Sequence, residues 1–164
     1  MLSPGDAAPN FSVTDEKGEL HTLDQYRGKQ LVIWFYPKAD TPGCASEGCG
    51  FRDLGAEFAS KNAAILGVSF DSAAQNRAFS KKFSFTFPLL CDTDRNMSMD
   101  YGACEHEDQG YARRIGVIID GDGVVMAYTR NANANTYPAE ALALLVTPEK
   151  DEASDDSADS EKTT

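Results

Sequence analysis

Cysteine, histidine and long apolar runs are all scarce in this chain. Its 164 residues include four cysteines and two histidines, and no unbroken apolar run is longer than the six residues 31–36. A membrane-spanning helix needs roughly 20 consecutive apolar residues, so no membrane span is expected. Four cysteines are too few to staple a small secreted scaffold, and each one must be considered separately as a catalytic or an inert thiol.

Positive charge is also in short supply. Acidic residues outnumber basic residues 26 to 15, which gives a formal net charge of −11. This balance provides no basic surface for binding nucleic acid phosphates or an anionic membrane. The opening residues, MLSPGDAAPNF, lack the basic and apolar regions of a secretory signal and are too acidic for a transit peptide. We therefore expect a cytoplasmic protein that binds neither nucleic acid nor membrane.

The charge is concentrated at the end of the chain. Residues 149–164, EKDEASDDSADSEKTT, contain seven acids, two lysines and no apolar side chain larger than that of alanine. Such a composition cannot offset the entropy lost on ordering. The whole chain is 41% apolar, which is close to the globular norm. The sequence predicts one domain over residues 1–148 followed by a disordered acidic tail over residues 149–164.

Strand and helix patterns alternate along the predicted domain. A short hairpin is expected around the turn DEKG, residues 15–18, and the run QLVIWF, residues 30–35, is apolar on both faces as a central strand would be. Residues 44–61 carry apolar side chains at helical spacing. The other predicted elements are a strand over 63–70, a helix capped by Asp71 or Ser72 and ending near 82, a strand over 87–91, a short helix over 96–101, a hairpin around GDG and a helix over 138–146. This order predicts an α/β sheet with both faces covered by helices.

The segment YPKADTPGCASEGC, residues 36–49, carries the chemistry. It follows a buried strand and opens a helix, so we expect Cys44 near a helix N-terminus, where free backbone N–H groups favour a thiolate over a thiol. Thr41 supplies a hydroxyl that can donate to the sulfur or to a bound oxygen. Pro37 has no N–H and would shield the pocket wall, while Tyr36 is either a core residue or part of the pocket mouth. The segment predicts a nucleophilic sulfur.

The spacing of Pro37, Thr41 and Cys44 reproduces the P-x-x-x-T-x-x-C motif of peroxiredoxins. The longer string YPKADTPGC, followed by Glu47, Cys49 and FRD, resembles the peroxiredoxin Q subfamily, also called bacterioferritin comigratory proteins. The phrases GDAAPNF, LDQYRGK and ARRIGVIID extend the resemblance from about residue 4 to residue 145. It implies a thioredoxin-like fold, a mixed sheet flanked by helices, and a monomer that reduces hydrogen peroxide or organic hydroperoxides without a cofactor.

The same resemblance assigns roles to the residues around the sulfur. Arg114 occupies the position of the family's active-site arginine, where a fixed cation would stabilise charge that moves from sulfur to the departing peroxide oxygen. The N–H groups of Gly43 and Cys44 would hold the two oxygens in line, and Glu47 would orient the guanidinium. Arg113 should point to the opposite face of the strand.

Reaction with peroxide leaves a sulfenic acid on Cys44, and the resemblance implies that Cys49 resolves it as a disulfide that thioredoxin then reduces. Five residues along an ideal helix separate two Cα atoms by roughly 8.7 Å. A disulfide rarely spans more than about 6.8 Å. Gly48 and Gly50 each weaken the helix by about 1 kcal/mol relative to alanine. The sequence therefore predicts a folded form that reacts with peroxide and a locally unfolded form that makes the disulfide.

The remaining cysteines have weaker interpretations. Cys91 ends a predicted buried strand and is expected to pack as a small hydrophobic side chain. Cys104 lies in a predicted surface loop, GACEHEDQG, and is an alternative resolving thiol if it is exposed. Cys104 and His106 lack the spacing of a metal site, and His21 is distant in sequence, so no metal is expected.

Two other functions are compatible with the scaffold. A thiol-disulfide oxidoreductase uses two thiols that pair without unfolding, usually as C-x-x-C, and this sequence has no such pair. A redox-sensing or chaperone-like binding module would have the same fold but would not turn over peroxide. Peroxide consumption, measured beside insulin-disulfide reduction, separates these alternatives from a thiol peroxidase.

Overall fold

The structure, a computed structural model, describes residues 2–106 and 108–147. The strands are β1 (Ser12–Thr14), β2 (Leu20–Thr22), β3 (Gln30–Phe35), β4 (Ala63–Ser69), β5 (Leu89–Cys91), β6 (Ile115–Ile119) and β7 (Val125–Thr129). The helices are α1 (Pro42–Asp53), α2 (Gly55–Ser60), α3 (Ala73–Phe83), α4 (Asn96–Asp100) and α5 (Tyr137–Leu144), with a 3₁₀ helix at Leu23–Tyr26. Within these described ranges, no helix has the length and apolar character needed to cross a membrane. The predicted tail, residues 149–164, lies outside the described residues.

A five-stranded mixed sheet forms the centre of the molecule, with the strand order β5-β4-β3-β6-β7. Strands β3, β4 and β5 run parallel, whereas β6 is antiparallel to both β3 and β7. Strands β1 and β2 form a separate antiparallel pair at the N-terminus. The predicted mixed sheet and the predicted N-terminal hairpin are both confirmed.

Strand β3 is buried on both faces because its side chains alternate between two apolar clusters. Ile33 and Phe35 pack into one cluster, whereas Val32 and Trp34 pack into the other. The first cluster includes Leu23, Met97 and Tyr101, and the second includes Phe51, Phe58, Phe79 and Tyr137 from the helices on the opposite side. Burying one such side chain contributes about 1.5–3 kcal/mol, which explains why an unbroken apolar run is stable here.

Two predicted elements differ from the structure. The single helix expected over residues 44–61 is two helices, because the chain turns at Leu54, which has φ −96° and ψ 9°. Gly55 follows at once, and glycine is among the poorest residues for continuing a helix. The strand expected over residues 87–91 shortens to Leu89–Cys91. Pro88 precedes it and has no N–H to donate to a neighbouring strand.

The start of α3 resolves an ambiguity in the sequence. Ser72 caps the helix through a capping box, in which its hydroxyl accepts from the N–H of Gln75 and the Gln75 side chain accepts from the N–H of Ser72. Asp71 is therefore not the cap. Its carboxylate is buried and accepts a hydrogen bond from the backbone N–H of Ala39, in the loop between β3 and α1.

Candidate active site

Cys44 lies where the central strand passes into the first long helix. β3 ends at Phe35, the chain crosses a loop, and Thr41 is the extended N-cap residue of α1. Cys44 is the third residue of the helix and is fully buried within the cluster on that face of the sheet. The free N–H groups and the positive end of the helix dipole lie in this first turn, where they stabilise negative charge on sulfur.

Strand pairing brings Arg114 to the same place from a distant part of the sequence. β6 runs antiparallel to β3 with Phe35 opposite Ile115, so Arg114 lies beside the chain leaving the end of β3. Its Nη2 atom donates to Cys44 Sγ at 3.5 Å, and its Nη1 atom donates to Glu47 Oε1 at 2.7 Å. One guanidinium therefore contacts both the sulfur and a carboxylate one helical turn farther along α1.

Glu47 is a buried carboxyl group with incomplete hydrogen bonding. Burial raises its pKa to about 7, and the hydrogen bond and charge of Arg114 only partly oppose this rise. Its Oε2 atom has no hydrogen-bond partner among the residues that the structure describes. The geometry matches the predicted role of Glu47 in orienting Arg114, because a carboxylate and a planar guanidinium hold each other in a fixed direction.

Gly43 has a second function that the sequence did not reveal. A Cβ atom added at this residue would lie 3.0 Å from Nη2 of Arg114 and 3.8 Å from the side chain of Ala134. The missing side chain therefore allows the guanidinium to approach the first turn of α1. The sequence interpretation used only the N–H group of Gly43, and no local pattern indicates which side chain will approach it.

The motif hydroxyl donates its proton to the loop that precedes the helix. Thr41 Oγ1 donates to the carbonyl of Lys38 at 2.8 Å, within the loop that precedes α1. Its side chain forms no capping hydrogen bond to the helix. Pro37 is half-buried at the start of this loop. The oxygen of Thr41 still has acceptor capacity, but its proton is engaged by the loop in this structure.

Tyr36 is a core residue and does not line a pocket mouth. It is fully buried, its ring lies 4.6 Å from that of Trp34, and its hydroxyl donates to Asn76 Oδ1 at 2.7 Å. Burial raises the pKa of Tyr36 well above its usual value. The assignment of Tyr36 to substrate binding was wrong, because the side chain points into the sheet–helix layer rather than towards solvent.

Cys49 lies partly exposed in the same unbroken helix as Cys44, and both are free thiols. The glycines on either side of it are packing positions. A Cβ on Gly48 would lie 2.3 Å from the ring of Phe85, and one on Gly50 would lie 2.8 Å from Pro138. These residues therefore admit close neighbours to α1, which the sequence argument about helix weakness did not include.

The other two cysteines lie away from this cluster. Cys91 Sγ is half-buried and accepts from Asn76 at 3.4 Å, and burial raises the pKa of the thiol. Cys104 is buried, contrary to the expected exposed loop, and its thiol donates to the carbonyl of His106. The loop folds inward because the N–H of Arg113 and the side chain of Gln109 both bond to the carbonyl of Ala103. An exposed Cys104 was the wrong expectation.

Arg113 and Arg114 are neighbours in sequence with different surroundings. The Nη2 atom of Arg113 donates to Glu105 at 3.0 Å on the surface, and both of these side chains are exposed. The side chain of Arg114 is only 20% exposed and faces the sulfur. This separation follows from the alternation of side chains near the start of a strand.

A tyrosine beyond the motif completes the surroundings of the site. The ring of Tyr137, at the start of α5, lies directly over Gly116, where a Cβ atom would come within 1.9 Å of it. Burial and the nearby charge of Glu47 raise the pKa of Tyr137. No local sequence pattern indicates this residue, because the contact depends on the packing of α5 against β6.

Among the described residues, one group of potential metal ligands lies elsewhere. Ligand atoms of Asp15, Glu19 and His21 lie within 4.8 Å of one another in the N-terminal hairpin. Asp15 and His21 already bond to each other at 2.7 Å, and the other His21 nitrogen contacts Tyr26. We interpret these residues as a hydrogen-bonded cluster.

Comparison with known proteins shows the family of this chain. A model of the AhpC/TSA family matches residues 4–128. A Coxiella burnetii protein that carries the name peroxiredoxin bcp is 33% identical over 149 residues, which cover 88% of this chain and 99% of that one. The structure of peroxidoxin BcpB from Mycobacterium tuberculosis matches with a TM-score of 0.82 at 29% identity, covering 88% of this chain and 96% of that one. The bacterioferritin comigratory protein of Xanthomonas campestris matches with a TM-score of 0.76 at 32% identity, covering 81% and 88%.

The family match covers the loop after β3, all of α1 and the strand that follows Arg114. The solved structures share the thioredoxin-like arrangement of the central sheet and its helices. Sequence resemblance and fold therefore lead to the same assignment. The chain belongs to the AhpC/TSA family, alongside the bcp and peroxiredoxin Q proteins, and it is a thiol-dependent peroxidase that acts through a peroxidatic cysteine.

Proposed function

We propose that Cys44 is the peroxidatic cysteine, that Arg114 activates it, and that Cys49 resolves the product. The observation that carries this proposal is the contact of Arg114 Nη2 with Cys44 Sγ at 3.5 Å in the first turn of α1. A cation and a helix N-terminus act together on one sulfur, and both favour the thiolate. Glu47 holds the guanidinium from the other side at 2.7 Å.

In the first step the Cys44 thiolate attacks one peroxide oxygen. The S–O bond forms as the O–O bond breaks, so sulfur is oxidised to a sulfenic acid and the other oxygen leaves as water or an alcohol after taking a proton. Negative charge moves from sulfur to the leaving oxygen along this path. Arg114 stays charged throughout and lies close enough to stabilise both ends of the movement. Backbone N–H groups of Gly43 and Cys44 hold the peroxide in line.

In the second step the thiolate of Cys49 attacks the oxidised sulfur, an S–S bond forms and the sulfenic oxygen leaves as water. Both cysteines belong to the continuous helix α1. Helical geometry separates their Cα atoms by roughly 8.7 Å, so the helix must unwind locally before they can pair. Unwinding separates Gly48 from Phe85 and Gly50 from Pro138. Release of these two contacts is therefore part of the proposed cycle.

The proposed substrates are hydrogen peroxide and organic hydroperoxides, with thioredoxin as the dithiol that reduces the disulfide. The structural work on the Xanthomonas campestris relative concerns alkyl peroxide reduction by that protein, which supports the organic substrate class. A monomeric state and a cytoplasmic location belong to the same proposal.

Replacement of the nucleophile tests the assignment of Cys44. Cys44→Ser should abolish peroxide consumption, because a serine alkoxide is not accessible near neutral pH. The matched control is Cys104→Ser, which removes another buried thiol and should leave the rate within about twofold. Residual activity above a few per cent in the Cys44 variant would show that another thiol is the nucleophile.

Peptide mapping and amide exchange test the role of Cys49. One equivalent of peroxide should form a Cys44 to Cys49 disulfide within one chain and accelerate exchange over about residues 40–55, with little change in the strands beneath. Cys49→Ser should keep the first step fast, stop turnover with thioredoxin, and accumulate sulfenic acid and its over-oxidised forms. A Cys44 disulfide to Cys91, Cys104 or a second chain would contradict the local-unfolding mechanism while leaving Cys44 as the nucleophile.

A further inference from the structure

We propose that Asp71 is a positioning residue for the peroxide step, and that it acts by holding the loop between β3 and α1 through the backbone N–H of Ala39. This inference rests on the proposed role of Cys44. Asp71 follows β4 and is buried, and its Oδ2 atom accepts from the N–H of Ala39 at 2.7 Å. Ala39 is five residues before Cys44, within the loop that enters α1.

The backbone of this loop adopts an uncommon conformation. Asp40, directly after Ala39, has φ of +62°, a left-handed conformation that few non-glycine residues adopt. Thr41 follows as the extended N-cap, and its hydroxyl bonds back to Lys38. The chain therefore reverses within three residues before it enters the helix that carries Cys44. The hydrogen bond from the N–H of Ala39 to Asp71 holds the backbone where this reversal begins. It thereby sets the position of the first N–H groups of α1 relative to the sulfur.

A buried polar network holds the carboxylate of Asp71 in turn. The hydroxyl of Ser69 donates to the same Oδ2 atom at 2.8 Å. Asn76 of α3 donates to that hydroxyl at 3.4 Å and accepts from the hydroxyl of Tyr36 at 2.7 Å. The network thus joins the carboxyl ends of β3 and β4 to α3. Each member is buried, so the position of Asp71 is set by the sheet itself.

Surface charge does not explain the position of this carboxylate. The nearest cation is the ammonium of Lys38, 3.9 Å from Oδ1, and its side chain is 61% exposed. Such a pair contributes little. The short bond from a backbone N–H to a buried carboxylate is charge-assisted and directional. Hydrogen bonding to one oxygen, rather than attraction to Lys38, is therefore the interaction that fixes the loop.

One substitution can remove the charge of Asp71 and keep both of its hydrogen bonds to Oδ2. Ala39 and Ser69 both donate to Oδ2, so the carbonyl oxygen of an asparagine in the same orientation can accept both bonds. Asp71→Asn should therefore keep the peroxide rate constant within about threefold, whereas Asp71→Ala should lower it at least about tenfold, since small misplacements of catalytic groups are costly. In the alanine variant, the pH at which iodoacetamide begins to react with Cys44 should also move upwards.

Asp92 supplies the matched structural control. It is also a buried carboxylate at the end of a strand, and it accepts from the N–H groups of Met97 and Ser98 away from the sulfur. Asp92→Ala should lower the melting temperature without moving the alkylation profile of Cys44. Equal shifts of the Cys44 alkylation profile in the Asp71→Ala and Asp92→Ala variants would show that Asp71 only stabilises the fold. Identical behaviour of Asp71→Asn and Asp71→Ala would assign the effect to charge and overturn the positioning role.

Amide exchange in the unmodified protein tests the anchor even if Asp71→Ala does not fold. The N–H of Ala39 should be protected by at least about tenfold relative to an unstructured chain, because opening of the loop must precede its exchange. Unprotected exchange at Ala39 would overturn the inference. Residual activity in Cys44→Ser would instead overturn the proposed function, so the two failures are distinguishable.

Discussion

Two buried carboxyl groups in this protein each contact a basic side chain, and their pKa values move in opposite directions. Glu47, beside Arg114 at the candidate active site, has its pKa raised to about 7. Asp15, beside His21 in the N-terminal hairpin, has its pKa lowered. Burial raises the pKa in both cases, and more strongly for Glu47, which lies deeper in the protein. The hydrogen bonds that each carboxylate receives also differ.

The two hydrogen-bond sets are unequal. Asp15 accepts from Nε2 of His21 at 2.7 Å and from the N–H groups of Lys17 and Glu19 at 2.8 and 3.0 Å. Glu47 accepts one bond from Arg114, and its second oxygen has no partner. A carboxylate with several donors is stabilised in its charged form, whereas one with few donors is not. The incompletely bonded group shares the Arg114 guanidinium with the sulfur, so a change in its charge can affect the chemistry there.

Among changes at the two carboxyl groups and their partners, removal of Arg114 should have the largest effect. Arg114→Ala deletes the cation beside Cys44 and leaves Glu47 without its hydrogen bond, so the second-order rate constant for peroxide should fall by at least about 100-fold. Stopped-flow measurement of peroxide reduction tests this. The matched control is His21→Ala, which removes the basic partner of Asp15. An equal slowing of peroxide reduction in this variant would contradict the specific role of Arg114.

His21→Ala should instead affect stability. It leaves Asp15 buried with one fewer donor and leaves Tyr26 without its 2.7 Å contact to the imidazole. Loss of a buried charge-assisted hydrogen bond costs about 1–3 kcal/mol. Urea denaturation should report this loss, while the peroxide rate constant stays within about twofold of the unmodified protein. Unchanged stability would show that the hairpin cluster contributes nothing.

The pH dependence of stability should have opposite signs at the two groups. Because the pKa of Glu47 rises from 4.5 to about 7 on folding, the native state binds more protons between these values, and stability is lost as pH rises through this window. The Asp15 contribution is present above its usual pKa of 3.8 and is lost as pH falls through the lower folded value.

Glu47→Gln and Asp15→Asn separate these contributions. Relative to the unmodified protein, Glu47→Gln should gain about 1–3 kcal/mol between pH 5 and pH 7.5, since glutamine does not ionise. The stability deficit of Asp15→Asn should shrink on acidification below about pH 4. Denaturant titrations at several pH values measure both changes. If the free energy of unfolding changed with pH in the same way in both variants, the difference in hydrogen bonding would be contradicted.

Arg113→Ala should have the smallest effect. Its ion pair with Glu105 is exposed on both sides, and such pairs contribute about 0–1 kcal/mol. Peroxide rate and Cys44 alkylation should remain within about twofold of the unmodified protein. A change comparable to that of Arg114→Ala would mean that the active-site arginine has been misassigned.

Local patterns predicted much of the fold. Strand β3 has the bounds Gln30–Phe35 that its apolar run indicates, and Ser72 was one of the two predicted caps of α3. The helix break at Leu54 was missed, although Gly55 follows it, because the helical spacing of the apolar side chains continues across the break. The buried Cys104 was missed because a polar loop sequence does not reveal that its backbone will fold back onto Ala103.

Local sequence patterns are enough to predict the segment that carries the chemistry. A strand, a short loop with Pro37 and Thr41, and a helix that opens near Cys44 follow from local propensities and spacing. Tertiary structure decided the rest, because strand pairing and helix packing join residues far apart in the chain. Antiparallel pairing of β6 with β3 brings Arg114 to the sulfur, and the packing of α1 leaves Glu47 buried with one oxygen unpaired. Those long-range contacts set the burial and hydrogen bonding that fix each charge, and local sequence carries no direct record of them.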